Sequence, residues 1–205
     1  MEKNIKDKEQ TKRRLIAAVA HVFKNEGHTG LGVNKIARLA GVDKKLIYRY
    51  FGSFDRLVEA YVVETDYWMR FVDQLHELKV PENMQEMKRL LAYVLKNQFR
   101  YFYEDKEMQR LILWELAAKS DIMRSIHHTR EVKGQLLLEM TDRYLQKNDV
   151  NFRAIAALLV GGIYYMILHT RNNGSMFSDI DLSKQEGRQA ILDAIDSILE
   201  MTFKL

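Results

Sequence analysis

Proline occurs once in this chain of 205 residues, at position 81. Proline removes a backbone donor and blocks helix continuation, so a chain with one leaves long stretches free to be helical. Apolar residues recur at three- and four-residue steps along most of the length, and no segment alternates as a half-buried strand does. The pattern predicts an all-α protein of about nine helices. The first runs from near Lys6 to about Asn25, with Leu15, Ile16, Val19, Val22 and Phe23 inward and Gly27 as its stop. A fourth is expected over Phe54 to Leu78, carrying Leu57, Tyr61, Thr65, Trp68, Val72 and Leu75 on one face. Beyond Pro81 the expected helices cover Glu82–Tyr103, Lys106–Ala118, Asp121–Lys147, Asn151–Thr170 and, opened by Asp181 or Ser183, a last one to about Thr202. Asn172 to Asp181 reads as loop.

Composition narrows the chemistry. Apolar residues at 47% and charged residues at 29% are ordinary for a globular protein. There is no cysteine, which removes disulfides, thiolate nucleophiles and thiolate metal sites. No G-x-S-x-G, H-E-x-x-H or dinucleotide fingerprint is present, so neither catalysis nor a cofactor is expected. His127 and His128 are neighbours, about 100° apart on a helix, and cannot share a metal ion. The polar N-terminus lacks a signal-peptide core. The longest apolar run, Ala154 to Leu168, falls short of the roughly 20 residues a bilayer span needs. A cytoplasmic protein is expected. Charge is uneven: residues 1–56 hold 13 Lys/Arg against 6 Asp/Glu, while the remainder holds 19 against 22. A basic head on a slightly acidic body suits a polyanionic partner.

Within that head, Val33–Phe51 reads VNKIARLAGVDKKLIYRYF. Ile36, Ala37, Leu39 and Ala40 can face inward from one short helix, and Ile47, Tyr50 and Phe51 from a second. Gly41 supplies the turn between them and Asp43 a cap for the second. Lys44, Lys45, Tyr48 and Arg49 then turn outward together. Two short helices about a glycine turn, the second studded with cations and an aromatic, form a helix-turn-helix pattern. The expected DNA-facing residues are Lys44, Lys45, Tyr48, Arg49 and Tyr50, with Asn34 and Lys35 on the phosphate backbone. Lys8, Lys12, Arg13 and Arg14 crowd the start of the first helix, where phosphate contact is one explanation and a frayed basic arm another.

G-V-D-K-K-L-I-Y-R-Y-F-G-S-F-D-R-L (residues 41–57) resembles the DNA-binding signature of the TetR family of bacterial transcriptional regulators. The resemblance covers roughly residues 10–60 and rests on Gly27, Val33, Ile36, Ala37, Ala40, Gly41, Val42, Ile47, Tyr48, Tyr50, Phe51, Ser53 and Leu57. Lys45 stands where a small residue is usual, and Phe54 where a phosphate-contacting lysine is usual. The common Ser or Thr before the second helix is absent. Arg56 is a candidate for the missing lysine's work. The resemblance implies an N-terminal three-helix DNA-binding domain (1–53) and a helical effector-binding and dimerisation domain (54–205). It implies a homodimeric repressor that leaves a palindromic operator in double-stranded DNA when a small molecule binds.

Two patterns in the body bear on that expectation. Ala157, Gly161, Tyr165 and Leu168 share a helix face, and Ile191, Ala194, Ile195, Ile198 and Leu199 give the last helix an apolar face. These are the candidate dimer interface. Aromatics and methionines crowd the four helices before them, among them Tyr61, Trp68, Phe71, Tyr93, Phe99, Phe102, Met108 and Trp114. Trp68, Gln98, Trp114, Glu115 and Tyr165 are candidate borders of a pocket for an apolar or cationic effector. For Glu115, a carboxylate on an apolar face, a structural salt bridge is the competing reading. A rival for the whole body gives it no effector pocket and makes the chain an architectural or protein-interaction factor.

Overall fold

Helices begin and end where local chemistry places their caps. The structure, a computed structural model, describes residues 2–69, 80–117, 121–145 and 150–204, without the side chains of 2–6 and Lys133. Its helices are α1 (Glu2–Glu26), α2 (Val33–Ala40), α3 (Lys45–Phe51), α4 (Phe54–Thr65), α5 (Met84–Glu104), α6 (Lys106–Ala117), α7 (Asp121–Leu145), α8 (Phe152–Asn173) and α9 (Gln185–Lys204). Ser53, Asn83 and Asn151 each accept a backbone N–H three residues on, from Arg56, Glu86 and Ala154. Such side-chain caps satisfy donors that the first helical turn leaves orphaned. Among the described residues the chain is all-α apart from one small antiparallel hairpin, Met176–Phe177 with Ile180–Asp181.

That hairpin stands where a loop was expected. Its turn residues Ser178 and Asp179 both have positive φ, 50° and 62°, the backbone that two-residue hairpin turns require. Two-residue strands are too short to show alternation in a sequence. Asp181 then accepts from the backbone N–H and hydroxyl of Ser183, at 3.0 and 2.7 Å. The Ser183 hydroxyl first, then hydrogen bonds from the Ser175 side chain and the Ser183 backbone, hold the Asp181 carboxyl down to about 2. Gly187 follows because a Cβ there would lie 2.1 Å from the Asp181 carbonyl oxygen.

The chain gathers into two compact units. The first comprises Met1–Phe71 and Glu107–Glu131. Leu15, Val19, Val22 and Phe23 of α1, Ile36 of α2, Ile47 of α3, and Leu57, Tyr61 and Val62 of α4 are almost wholly buried in it. Met108 and Leu111 of α6 and Ile126 of α7 are buried there too. Burying each such side chain is worth about 1.5–3 kcal/mol. Phe23 meets both Tyr61 and Trp114, with ring centroids 5.6 and 5.9 Å apart, and His28 stacks on the other side of the cluster against Trp114 at 5.2 Å.

The second unit comprises Val72–Lys106 and Val132–Leu205. Here α5 packs on α8 and α9. Met87, Leu91, Val94, Phe99 and Phe102 of α5 share the core with Ile163 and Ile167 of α8 and Ile195 and Leu199 of α9. Lys88 pairs with Glu200 and Lys96 with Asp196, a register that runs α5 and α9 antiparallel. At 22 residues, α8 exceeds the apolar run read from the sequence, and by length and composition it could cross a bilayer.

The expected helix over Phe54–Leu78 is interrupted. α4 ends at Thr65, and Asp66 adopts an extended backbone, φ −69° and ψ 126°. Helical backbone resumes at 67–69, where Asp66 Oδ1 accepts the N–H groups of Trp68 (2.9 Å) and Met69 (3.2 Å). One aspartate therefore closes one helix and caps the next. Its other oxygen meets Arg130, whose Nε donates at 2.7 Å and whose guanidinium also pairs with Glu115. Asp66 is wholly buried. Burial opposes the Arg130 charge, yet Asp66 and then Glu115 outweigh it and raise its pKa above the ordinary arginine value. The expected inward positions Phe71, Val72 and Leu75 lie outside the described residues.

Arg130→Met would strand two carboxylates without their shared cation. We expect a loss of about 3–5 kcal/mol in chemical denaturation. Arg124→Ala, which breaks the exposed pair with Asp121, should cost less than about 1 kcal/mol. Equal effects from the two substitutions would show that the buried trio is no more than a surface pair in stabilising value.

Candidate nucleic-acid interface

The α2–α3 turn is built by its backbone before any side chain faces outward. Gly41 sits in the left-handed region, φ 62° and ψ 42°, where a residue with a Cβ is disfavoured. Its N–H donates to Arg38 O at 3.1 Å, and Val42 N–H donates to Ala37 O at 3.0 Å, so the last carbonyls of α2 are satisfied. Asp43 Oδ1 then accepts from Lys45 N–H at 2.7 Å, as its position in the sequence implies. Gly52, φ 84°, ends α3.

Ile47 is the wholly buried anchor of α3, while Tyr50 and Phe51, expected inward with it, are only half-buried. A seven-residue helix held at a turn and by α4 has room for one fully inward side chain. Lys44, Lys45, Tyr48 and Arg49 are exposed on the opposite side. Among the described residues, no carboxylate pairs with Lys44, Lys45 or Arg49. Half of the Tyr48 side chain is open to solvent. Tyr50 lies under two cations, Lys8 of α1 and Arg49, each 5.9 Å from its ring centroid. The start of α1 is thereby brought beside α3.

Arg13, Lys24 and Arg38 are also exposed and without an ion-pair partner among the described residues, whereas several other basic residues of the head are engaged. Arg14 is the clearest case: its Nε donates to Ala40 O and its Nη2 to Gly41 O, both at 3.0 Å. It clamps α1 to the turn that launches α3. Nothing in the sequence marks this role, because the bond spans 26 residues and depends on how α1 packs against α2. Lys35 pairs with Glu26 at 2.6 Å and Arg56 with Glu59 at 2.7 Å, so Arg56 is held by its own helix at the position where a lysine substitute was sought. Asn34 is exposed and free to face a backbone. Leu39 departs from its expected inward place and is 49% exposed. It borders an open groove with Arg14, Ala17, Ala18 and His21.

A family model described as bacterial regulatory proteins, tetR family, matches residues 15–61, the span that contains these helices. This segment is a DNA-binding domain of the TetR type, as in the transcriptional regulators of that family. A curated relative, the HTH-type transcriptional repressor NicS of Pseudomonas putida, is 21% identical over 197 residues, 93% of this chain and 91% of that one. Among solved structures, the regulator FadR from Bacillus subtilis in complex with stearoyl-CoA is similar with a TM-score of 0.65 and 19% identity. That match covers 91% of this chain and 96% of FadR. Salmonella enterica GusR gives 0.63 and 16%, over 93% and 95%. At these identities the structures speak for the TetR-type fold.

The candidate effector residues are divided between the two units. Trp68, Trp114 and Glu115 belong to the first unit, and Gln98 and Tyr165 to the second. Trp114 is engaged with Phe23 and His28, and Trp68 is half-buried beside the Asp66 cap. Glu115 is matched by Arg130, with His127 Nδ1 also at 3.7 Å. Its carboxylate is therefore structural, and it no longer argues for a cationic ligand. Tyr165 is 60% exposed on the outside of α8, against His169 and Phe177. Gln98 alone is polar, fully inside and without a partner.

Two substitutions separate contact from positioning. Lys44→Ala should weaken operator binding and lower the slope of log affinity against log salt by about one, as loss of one phosphate contact requires. Arg14→Ala should weaken binding with that slope unchanged, because its guanidinium already serves two carbonyls. Fluorescence anisotropy across a salt series reads both. A slope reduced by Arg14→Ala would return Arg14 to the phosphate-contacting set.

Proposed function

We propose that this regulator is a homodimeric repressor whose paired heads read a palindromic operator, and that an apolar small molecule bound in the helical body releases it. The head is assigned to residues 1–53 and the body to 54–205. In the head, Lys44, Lys45, Tyr48, Arg49 and Tyr50 face the major groove, with Asn34 and the Glu26-paired Lys35 beside the phosphates. Three unpaired cations on one side of a short helix support this reading, since phosphate neutralisation supplies most non-specific affinity and base-edge contacts the rest.

The observation that carries the dimer is the outer face of α8. Ala154, Ala157, Leu158, Gly161 and Tyr165 follow one another at helical spacing, and every one is exposed. Leu158 is 77% exposed. Gly161 has no atom outside its own helix backbone and chain neighbours within 4 Å of where a Cβ would stand, so no packing contact requires a glycine there. A stripe of small and apolar side chains with no internal purpose suits the close approach of a second helix. On α9, Ala194 and Met201 are exposed and Ile191 and Ile198 half-buried. They extend the face, whereas Leu168 and Ile195 are buried in their own unit's core. Two three-helix heads carried about 34–36 Å apart would match half-sites one turn of DNA apart.

The break at Asp66 supports a release mechanism. α4 begins at the Ser53 cap directly after α3 and ends at a buried carboxylate tied to α6 and α7. A ligand that binds one arrangement of this anchor better than the other would shift the population of head positions. The stearoyl-CoA of FadR and the repressor role of NicS favour an apolar effector and a repressing sign.

Leu158→Glu places a charge in the middle of the stripe. We expect light scattering to report a monomer where the parent is a dimer, an unchanged helical circular-dichroism spectrum, and operator affinity lower by tenfold or more. A Leu158→Glu protein that remained dimeric would remove α8 from the interface.

A further inference from the structure

We propose that Gln98 is the polar anchor of the effector site, and that the effector offers it a single neutral group that both donates and accepts hydrogen bonds, carried on an apolar body. A primary amide, a lactam or an un-ionised carboxyl meets that description. The inference rests on the effector reading above and adds the chemistry of the ligand's head.

Gln98 is 1% exposed. It lies on the inward face of α5 with Val94 and Leu95 a turn before it and Phe102 a turn after, all buried. Phe102 in turn meets Tyr164 of α8 edge-on at 4.6 Å. Neither the side-chain nitrogen nor the oxygen of Gln98 has a hydrogen-bond partner. Among the described residues the other polar side chains buried to this degree have partners. The remaining buried atoms without a hydrogen bond are single ones, Nδ1 of the half-buried His169 and Nη2 of Arg130, the latter in its ion pair with Asp66. Thr141, Thr170 and Thr202 donate to carbonyls of their own helices at 2.6, 2.8 and 2.7 Å. Asp66 has Arg130 and two backbone donors, and Gln109 also has a partner. Gln98 stands apart.

An amide buried with both ends unmet destabilises the folded chain, and a leucine of similar size would fill the place without that penalty. Retaining glutamine there is therefore explained by something the free chain does not contain. The amide presents a donor and an acceptor side by side, so its complement presents an acceptor and a donor in the same order and makes two parallel bonds. A carboxylate would meet the donor but oppose the oxygen. The charged neighbours of Gln98 on α5 are occupied elsewhere, Lys96 with Asp196 and Arg100 with Asn97, so neither of them is directed here to neutralise an ionised head. Among apolar walls an unmatched charge is strongly disfavoured. A neutral head follows.

The test compares octanamide, which can pair with both atoms, with methyl octanoate, which can only accept, on the full chain by scanning calorimetry and titration calorimetry. For the parent, octanamide should bind on the order of tenfold tighter than the ester, the value of about one additional buried bond. Gln98→Leu should raise the melting temperature of the free chain by about 2–8 °C, since relief of about 1–2 kcal/mol shifts a chain of this size by that much, and should bring the two probes within twofold of each other. Probes that bind with their preference intact in Gln98→Leu would remove Gln98 as anchor and leave the effector reading standing. A lower melting temperature for Gln98→Leu would show that the amide is satisfied in the free chain, again overturning only the anchor. Failure of both probes to bind the parent would overturn the anchor and the apolar-effector reading together.

Discussion

Two carboxylates sharing one guanidinium decide where α4 stops. Asp66 is enclosed by protein on all sides, and Arg130 with the amides of Trp68 and Met69 surrounds its carboxylate. Remove the cation and the extended backbone at Asp66 loses its reason, because a neutral side chain would let the helix continue through the position. Glu115 on α6 holds Arg130 from the other side. The end of α4, the α6 helix and the first half of α7 are consequently fixed to one another by charge in an apolar setting. Geometry of that kind has few alternatives, since burying either partner alone is expensive. At its other end α4 starts from the Ser53 cap beside α3. A single helix of 12 residues thus carries the constraint from the trio to the recognition helix.

The same sorting of charge explains the head. Its excess of basic residues is evident from composition, but composition does not say which of them are available. Arg14 holds the turn together, Lys12 pairs with Glu9, Lys35 with Glu26, and Arg56 with Glu59. Lys44, Lys45 and Arg49 remain outward and unmatched, all of them within six residues of one another. Folding thus engages part of the basic charge and leaves a cationic ridge on α3, with Arg13, Lys24 and Arg38 exposed elsewhere in the head.

How much of this was readable in advance follows from the range of the interactions. The helix-turn-helix was legible at residue level because its signals are local: Gly41 needs its left-handed backbone, Asp43 and Ser53 cap the helices that follow them, and Ile47 lies between the cations Lys44 and Lys45 on one side and Arg49 on the other. The all-helical fold was legible from periodicity and the isolated proline. The break at Asp66 had a local signal too, an aspartate able to cap at the end of a helical pattern, but the continuing apolar period on both sides concealed it. Leu39 fitted the inward period of α2 and is nonetheless exposed, since α1 covers only part of that face. The pairing of Glu115 with Arg130 had no signal at all. Fifteen residues and a helix boundary separate them, and only tertiary packing brings them together.

The two units leave opposite kinds of demand unmet. In the first, buried charge is fully matched and the unmatched charge is outside, where DNA can meet it. In the second, the unmatched groups include an amide inside the core and an apolar stripe outside. Each is the reverse of what a self-sufficient domain would keep: Gln98 would be better replaced by leucine, and Leu158 by a polar residue. Both oddities vanish if the functional state includes two further molecules, one small and one a second copy of the chain. The dimer face and the anchor also differ in what they demand of a partner. The stripe asks for shape, because Ala157 and Gly161 offer little beyond close approach, whereas Gln98 asks for a specific order of donor and acceptor. Selectivity for the effector would therefore be set by Gln98 rather than by the apolar walls around it, since a missing methylene is worth little and an unpaired buried amide a great deal.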